Sequence, residues 1–271
     1  MDGLATESRI ASAAVGLVVP CYNEAGRMSR WEFLRFAREN PWLHYYFVDD
    51  GSTDTTYRTL AQMRQTLPLS ITVLRLHQNR GKAEAVRHGL LAASAEPHEL
   101  VGFWDADLAA PLSELPQMRD VLIRNEQMRL VVGVRRRILG RRIRRKRIRG
   151  LLGGGFSWVA SRVLRMPRCD TQCGAKLFRN DGCLRAVLQR PFQSRWIFDV
   201  ELLARYRATL GKARLLESIY EYPLEEWSDV AGSKLRWSDF GRAVFELLRL
   251  ALADHRCPVV DTSESCHEEA A

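Results

Sequence analysis

The strongest constraint on the fold is a regular alternation of short apolar runs and amphipathic stretches between residues 15 and 134. The apolar runs predict five β-strands: Val15–Pro20, Tyr45–Val48, Ile71–Leu74, Leu100–Trp104 and Leu130–Val134. Helical periodicity lies between them, near Trp31–Glu39, Thr55–Leu67, Lys82–Ala95 and Leu112–Asn125. This alternation predicts an α/β fold with a mostly parallel sheet and helices on both faces. Such sheets bind ligands at the carboxyl ends of their strands.

Polar clusters follow these strands at the edge where a ligand is expected. The first strand runs into Pro20-Cys21-Tyr22-Asn23-Glu24, and the second ends in Asp49-Asp50-Gly51-Ser52-Thr53-Asp54. A carboxylate at such a strand end can accept a hydrogen bond from a nucleobase N–H. The alternative is that Asp49 and Asp50 only cap the following helix. Asn79-Arg80-Gly81-Lys82 enters the third helix, where a cation and a helix N-terminus would face phosphate.

Asp105-Ala106-Asp107 follows the fourth predicted strand and has the spacing of a metal site. Two carboxylates at positions i and i+2 of a strand-end turn can both address one hard divalent cation. Mg²⁺ or Mn²⁺ bound to a nucleotide substrate is usually held by one or two carboxylates together with the phosphates. A lone pair of this kind is more often a solvated turn, so the metal site is inferred from its place after the other three motifs.

Basic residues are concentrated in one segment. Ten Lys or Arg and no acid lie between Arg135 and Arg149, so this segment contributes +10 to a net charge of +9. The rest of the chain sums to −1, and a negatively charged partner is therefore expected at this segment. The stretch from Arg135 to Leu164 predicts one or two amphipathic helices that lie on an anionic bilayer. Phe240–Ala253 is a second candidate for such a helix.

Length and composition exclude several other classes of protein. The chain has 271 residues, 46% of them hydrophobic, which excludes a disordered or collagen-like protein and allows a sizeable core. The longest stretch without a charge, Ile10–Asn23, has 14 residues and contains Pro20, so no transmembrane helix is expected. A secretory signal is not expected either, and the six cysteines fit free thiols in a reducing cytoplasm.

The four motifs, in this order, resemble the successive signatures of the inverting nucleotide-sugar glycosyltransferases of family 2, which have the GT-A fold. Three stretches of the second half, 170–178, 195–202 and 226–235, are similar to the dolichyl-phosphate β-glucosyltransferase branch. The resemblance implies transfer of a hexose from UDP-glucose to a polyprenyl or dolichyl phosphate. It also implies Mg²⁺ or Mn²⁺ as cofactor and a peripheral position on the cytoplasmic face of a membrane.

The same resemblance implies the organisation of the chain. One glycosyltransferase domain is expected over residues 15–255, between an N-terminal extension (1–14) and a flexible tail (256–271). Its nucleotide-sugar half is residues 15–134, and its acceptor and membrane-associated half is residues 135–255.

Carried over residue by residue, the resemblance assigns a nucleotide site, a metal site and an acceptor site. The nucleotide-binding residues are Pro20, Tyr22, Glu24, Asp50, Lys82 and Asp105. Asp107 is the principal metal ligand with Asp105 beside it, and Arg135 and Arg149 hold the acceptor phosphate. Related mannosyltransferases carry a metal-binding Gln where this chain has Ala109, which disfavours GDP-mannose as the donor.

The acceptor decides whether the reaction needs a general base. A phosphate monoester is already anionic near neutral pH, since its second pKa is about 6, and arginines need only position it. A hydroxyl acceptor would need a carboxylate base, for which Asp199 is the first candidate and Glu201 the second. A structural pairing of Asp199 with Arg195 or Lys234 is an equal alternative. In helical geometry Asp199 and Glu201 point to different faces, so only one is expected in the site.

Other functions are compatible with the same motifs. GDP-mannose could replace the donor, and a glycan or small-molecule hydroxyl could replace the acceptor. Relatives of the glucosyl branch often carry a transmembrane anchor, so a separate membrane subunit could supply one here. A nucleic-acid binder that uses residues 135–149 ranks low, because it leaves the carboxylates without a role. An inactive scaffold protein would not need them either.

Overall fold

A seven-stranded sheet lies at the centre of the structure, a computed structural model that describes residues 13–136, 140–144, 160–162, 170–195, 197–228, 246 and 249. The first half of the chain contributes strands β1 (Val15–Cys21), β2 (Leu43–Asp49), β3 (Ile71–Arg75), β4 (Leu100–Trp104) and β5 (Leu130–Val134). Its helices are α1 (Arg30–Glu39), α2 (Thr56–Thr66), α3 (Lys82–Ser94) and α4 (Leu115–Arg124), the last preceded by a 3₁₀ turn at Leu112–Glu114. The strands and helices expected between residues 15 and 134 are all present, with bounds that agree within three residues.

The second half adds four strands and three helices whose bounds the structure gives. The strands are β6 (Arg142–Arg144), β7 (Ala175–Arg179), β8 (Ile219–Pro223) and β9 (Glu226–Ser228). The helices are α5 (Gly182–Leu188), α6 (Phe198–Leu210) and α7 (Lys212–Ser218). None of the helices in the described part of the chain is long and apolar enough to span a bilayer.

The strand order joins the two halves in one sheet. The order is β3-β2-β1-β4-β7-β5-β8, and every neighbouring pair is parallel except the two that involve β7. Because β7 runs the other way between β4 and β5, its amino end lies beside the carboxyl end of β4, where Trp104 pairs with Ala175. The loop that enters β7 therefore meets the edge where the ligand is expected.

Apolar side chains cover both faces of the sheet. Along β1, Val18 belongs to one buried cluster with Phe103 and α3, whereas Leu17 and Val19 belong to a second cluster on the other face. A strand that is buried on both faces has no polar alternation, which explains its continuous apolar sequence. The core thus holds the strands in place, and the polar motifs expected to bind a ligand lie in the loops at their ends.

The helix prediction for the basic segment is wrong where the structure describes it. Residues 142–144 form the strand β6, which pairs in parallel with β9. Ile143 packs against the core, while Arg142 pairs with Glu226 at 3.2 Å, so the residues alternate with the period of a strand. Residues 160–162 are helical. Residues 137–139, 145–159 and 163–164 of the predicted amphipathic stretch lie outside the described residues, as do most of Phe240–Ala253, residues 1–12 and residues 256–271.

Candidate active site

Asn23 joins the loops that follow β1 and β2. Its side-chain Oδ1 accepts hydrogen bonds from the N–H groups of Thr53 at 2.9 Å and of Asp54 at 3.4 Å. Thr56 adds a second tie, since its Oγ1 accepts the N–H of Glu24 at 2.8 Å. Asn23 has a φ of 50°, in the left-handed region that Asn tolerates better than most residues. The two loops therefore form one unit at the edge of the sheet.

Asp50 braces the third loop of this edge. The buried carboxylate accepts the N–H of Arg80 at 2.7 Å through Oδ1 and the N–H of Gly81 at 2.8 Å through Oδ2. Burial raises the pKa of Asp50, and the two backbone donors act in the opposite direction. Its partners lie before α3, so Asp50 does not cap α2, whereas Asp49 accepts the N–H of Ser52 at 3.2 Å in the turn before that helix.

Lys82 begins α3 and reaches the aspartates that follow β4. Its Nζ lies 2.5 Å from Asp105 Oδ1. Burial alone would lower the pKa of Lys82, but the charges of Asp105, Asp199 and Asp107 outweigh it and raise that pKa. The ammonium is therefore a fixed positive charge at the mouth of the site.

Asp105 lies against Gly174, in the loop that enters β7. The Asp105 N–H donates to the Gly174 carbonyl at 3.0 Å. A Cβ on Gly174 would lie 1.9 Å from Asp105 Oδ2, so only glycine leaves room for this carboxylate. Burial alone would raise the pKa of Asp105, but Lys82, then Lys176 and Arg135, outweigh it and lower that pKa. Asp105 is thus held in its ionised form.

Asp107 lies two residues after Asp105, in the turn that follows β4. Its Oδ1 accepts the N–H of Ala109 at 3.2 Å, and its Oδ2 lies 3.3 Å from Nη2 of Arg27. Arg27 also contacts Glu24 at 3.3 Å, which links Asp107 to the first loop. Burial, followed by the charge of Asp105, raises the pKa of Asp107. Two carboxylates that repel each other in this way favour a cation close to both.

The donor set fits a hard divalent cation. Asp105 and Asp107 supply carboxylate oxygens, which Mg²⁺ and Mn²⁺ prefer as ligands. Within the described ranges, no group of three or more His, Cys, Asp or Glu side chains could hold a metal by itself. The remaining ligands would have to be oxygens of the substrate or of water, as is usual for Mg²⁺ at nucleotide sites.

Asp199 and Lys176 form a buried ion pair beside these carboxylates. Asp199 lies in the first turn of α6, and its Oδ1 is 2.5 Å from Nζ of Lys176 in β7. Burial raises the pKa of Asp199, while the charges of Lys176 and Lys82 oppose this. The sequence suggested Arg195 or Lys234 as structural partners. Arg195 instead donates to Asn79 at 3.0 Å, and Lys234 lies outside the described residues.

Glu201 lies on a different side of α6 from Asp199. Its carboxylate pairs with Arg205 at 2.6 Å and accepts the N–H groups of Gln193 and Ser194 at 3.0 Å. Glu201 is 1% exposed, and its contacts hold the loop before α6. The structure therefore brings Asp199, and not Glu201, toward Asp105.

Arg135 is held by Asp170 directly after β5. Its Nε lies 2.7 Å from Oδ2 and its Nη2 2.6 Å from Oδ1, a two-pronged ion pair, and its guanidinium carbon lies 5.2 Å from the centroid of the Trp227 ring. These contacts, above all the hydrogen bond to Asp170, raise the pKa of Arg135 against the effect of burial. Arg149, the other expected phosphate ligand, lies outside the described residues.

The remaining expected nucleotide residues lie on the first loop. Pro20 and Tyr22 are half-buried at the end of β1, and Glu24 is buried beside Arg27. Together with Asp50, Lys82 and Asp105 they occur at one edge of the sheet. The structure brings the expected donor residues together and places Arg135 among the charges that act on Asp105.

Sequence reasoning assigned no role to several residues that build this edge. Asn23, Gly174 and Lys176 lie within the motifs, but the acidic residues of these motifs are the ones whose chemistry can be recognised from sequence. A glycine before a strand and a lysine inside an apolar strand were the available signals. Arg27 has no local signal, because its partner Asp107 is 80 residues away.

Comparisons with known proteins agree with these features. The family model described as glycosyl transferase family 2 matches residues 17–196. The chain is 31% identical over 252 residues to a dolichyl-phosphate beta-glucosyltransferase of Trichomonas vaginalis, an alignment that covers 88% of this chain and 73% of the relative. It is 30% identical over 234 residues to the dolichyl-phosphate beta-glucosyltransferase of Dictyostelium discoideum, which covers 82% of this chain and 68% of the relative.

A solved structure shows the same fold. Glucosyl-3-phosphoglycerate synthase from Mycobacterium tuberculosis, in complex with Mn²⁺ and uridine-diphosphate-glucose, matches with a TM-score of 0.65 at 18% identity. The match covers 95% of this chain and 84% of that chain. The GT-A fold expected from the sequence is thereby confirmed.

Proposed function

The chain belongs to glycosyl transferase family 2 and is a glycosyltransferase, and we propose that it transfers glucose from UDP-glucose to a polyprenyl or dolichyl phosphate. The observation that carries the proposal is the cluster of Asp105, Asp107 and Lys82 at the carboxyl edge of the sheet, with Arg135 among the nearby charges. The names of the Trichomonas and Dictyostelium relatives support the sugar and the lipid acceptor. UDP-glucose and Mn²⁺ in the solved neighbour support the donor and the cofactor.

The three joined loops form the donor side. Pro20, Tyr22, Glu24 and Asp50 are proposed to line the nucleoside pocket, and Lys82 to meet the diphosphate. Asp107 and Asp105 would hold Mg²⁺ or Mn²⁺, which neutralises the developing charge of the leaving nucleotide when it is bound. Because Asn23 and Asp50 already hold the loops through backbone N–H groups, little ordering should be needed on binding.

On the acceptor side, the described residues near Asp105 include Arg135, and the candidate base Asp199 is paired with Lys176. Arg135 is proposed to position the acceptor phosphate, with Arg149 as a second ligand. A phosphate oxygen is anionic near neutral pH and can attack the sugar from the face opposite the nucleotide without giving up a proton. Asp199 is tied to Lys176 through Oδ1, and this engagement favours a phosphate acceptor over a hydroxyl acceptor.

The basic segment from Arg135 to Arg149 is proposed to contact an anionic membrane surface at the cytoplasmic face. Arg141 and Arg142 pair with Glu225 and Glu226, so part of the charge is balanced by β9 and the residues before it. Each Lys or Arg near such a surface contributes about 1 kcal/mol. Replacing Arg141, Arg142, Arg144, Arg145 and Arg147 by Gln should weaken binding to phosphatidylserine vesicles more than binding of UDP. A collapse of UDP affinity instead would contradict the membrane role.

The test of the proposed function is transfer of label from radiolabelled UDP-glucose into the organic phase of a polyprenyl-phosphate mixture. We expect lipid label that requires Mg²⁺ or Mn²⁺ and disappears with EDTA, and none from GDP-mannose in a parallel reaction. Label from GDP-mannose alone would contradict the assignment of UDP-glucose as the donor. No lipid label from either donor, with UDP still bound, would overturn the phosphate acceptor.

A further inference from the structure

Lys176 is a fully buried lysine in the middle of the sheet. It lies in β7, opposite Phe103 of β4 and Val132 of β5, and its side chain is 0% exposed. Lysine is almost never buried to this extent unless its charge is paired and its N–H groups are satisfied. A charge at this position therefore needs a structural or functional reason.

Three acceptors surround the Lys176 ammonium. Nζ donates to the carbonyl of Thr171 at 2.8 Å, to the carbonyl of Cys173 at 2.6 Å and to Asp199 Oδ1 at 2.5 Å. An ammonium has three donors, so none remains for a substrate. Lys176 can act only through the groups that it holds, which would make it a positioning residue.

Two of these acceptors, the carbonyls of Thr171 and Cys173, belong to the loop that contacts Asp105. Residues 171–174, here called the platform, end in Gly174, whose carbonyl accepts the Asp105 N–H at 3.0 Å. The Cα of Gly174 lies so close to the Asp105 carboxylate that an added Cβ would be 1.9 Å from Oδ2. The position of the platform therefore determines where this carboxylate can lie.

We propose that Lys176 and Asp199 together fix the platform beneath Asp105, which makes Asp199 an anchor rather than a general base. Lys176 ties two platform carbonyls to the sheet, and Asp199 holds the same ammonium from α6. The inference rests on the proposed function, in which Asp105 meets the metal and the diphosphate. A phosphate acceptor needs no base, so the buried carboxylate is left for this role.

The test is the affinity for UDP in the presence of Mn²⁺, measured by isothermal titration calorimetry on the full chain. In Lys176→Met the platform loses two of its hydrogen bonds. We expect the affinity to fall at least about tenfold, as when other residues that orient a metal ligand are removed.

A double variant keeps the test valid if Lys176→Met does not fold. Lys176→Met/Asp199→Asn removes both charges, so no buried carboxylate is left without its partner. We expect this variant also to bind at least about tenfold more weakly than the wild type, because the carbonyls of Thr171 and Cys173 remain unheld.

The ion pair of Glu201 and Arg205 provides a matched control on the same helix. This pair is also buried, at 2.6 Å, but Arg205 donates to the carbonyls of Val187, Arg190 and Pro191 rather than to the platform. We expect Glu201→Gln/Arg205→Met to bind UDP with wild-type affinity. An equal loss there would assign the effect to the removal of any buried ion pair, and would overturn the inference.

Three further outcomes decide the inference. Wild-type affinity in Lys176→Met/Asp199→Asn would overturn it, because Lys176 would then only compensate the charge of Asp199. A loss of kcat of about 100-fold in Asp199→Asn, with UDP affinity unchanged, would show a general base and overturn the anchor. A wild-type protein that binds neither UDP nor GDP with Mn²⁺ would contradict the donor site of the proposed function, and the inference with it.

Discussion

The loops of the donor side and the basic side chains of the acceptor side are held in place by different kinds of contact. On the donor side, Asn23 and Asp50 bind backbone N–H groups of neighbouring loops. On the acceptor side, Arg135 and Lys176 are held in ion pairs with Asp170 and Asp199. The first arrangement fixes the path of the backbone, whereas the second fixes charged side chains.

This difference has a chemical consequence. A loop that is ordered by its own backbone contacts can form a nucleotide pocket before the ligand arrives. An ion pair in the interior is strongly coupled to its surroundings, and removal of one partner leaves an uncompensated charge. We therefore expect changes to the metal- and diphosphate-binding groups of the donor side to affect ligand binding first, and changes to the buried ion pairs of the acceptor side to affect stability as well.

Asp107→Ala should have the largest effect, because Asp107 is the proposed principal ligand of the metal. We expect kcat/KM to fall at least about 100-fold, with loss of Mn²⁺-dependent UDP binding. Because the Asp107 side chain is partly exposed, its ion pair with Arg27 should contribute little to stability, and the melting temperature should change little. Transfer at wild-type rate would remove Asp107 from the metal site.

Gly174→Ala tests the contact at which the two sides meet. The new Cβ would lie 1.9 Å from Asp105 Oδ2, so the carboxylate or the platform must shift. We expect UDP affinity with Mn²⁺ to fall at least about tenfold and the free energy of unfolding to fall by about 1–3 kcal/mol. Gly26→Ala is the control, since an added Cβ there meets nothing within 4 Å. An equal effect in both variants would contradict the role of the platform.

Lys82→Met should change the pH dependence of metal-dependent UDP binding. Lys82 is the chief charge that lowers the pKa of Asp105 against the effect of burial, so its removal should raise that pKa. A proton then competes with Mn²⁺ at higher pH, because a carboxylate must be ionised to bind metal. We expect binding to be lost at a higher pH on the acid side than in the wild type. Lys82→Arg, which keeps the charge, should resemble the wild type, and an unchanged acid side in Lys82→Met would contradict the assignment.

Asn23→Ala should have the smallest effect on binding and a measurable effect on stability. Alanine disfavours the φ of 50° and cannot accept the N–H groups of Thr53 and Asp54. We expect the free energy of unfolding, from urea titration, to fall by about 2 kcal/mol. Asn23→Gly separates the causes, because glycine restores the backbone freedom but not the acceptor. Full stability in Asn23→Ala would show that the first two loops are not held in this way.

The donor side could be predicted further than the acceptor side, for a physical reason. Four of the five strands of the first half are buried on both faces, so their sequences are largely apolar, and the polar motifs at their ends mark the site directly. The partners on the acceptor side are distant in sequence: Asp170 follows Arg135 by 35 residues, and Asp199 follows Lys176 by 23. No local pattern encodes such pairs. The strand at residues 142–144 was wrongly predicted as a helix for a related reason, since the strand that pairs with it begins at Glu226, 84 residues after Arg142.

The position of β7 could not be predicted from periodicity either. Ala175–Arg179 has the apolar pattern of a strand, but its insertion between β4 and β5 depends on contacts across the whole sheet. This insertion brings Gly174 beneath Asp105 and Lys176 beside Asp199. Asp105 and Asp199 could therefore be predicted as site residues from the sequence. Their contacts with Gly174 and Lys176 are visible only in the fold.

The most direct test of the proposed transfer is the configuration at C1 of the product. UDP-glucose labelled with ¹³C at C1 would be incubated with polyprenyl phosphate and Mg²⁺, and the lipid product examined by ¹³C and ³¹P NMR. Because the glucose of the donor is α-linked, attack from the opposite face yields a β-linked glucosyl phosphate. We expect this product, dependent on the metal and absent in Asp107→Ala. An α-linked lipid, or glucose released to water with no lipid product, would contradict an inverting transfer to phosphate at this site.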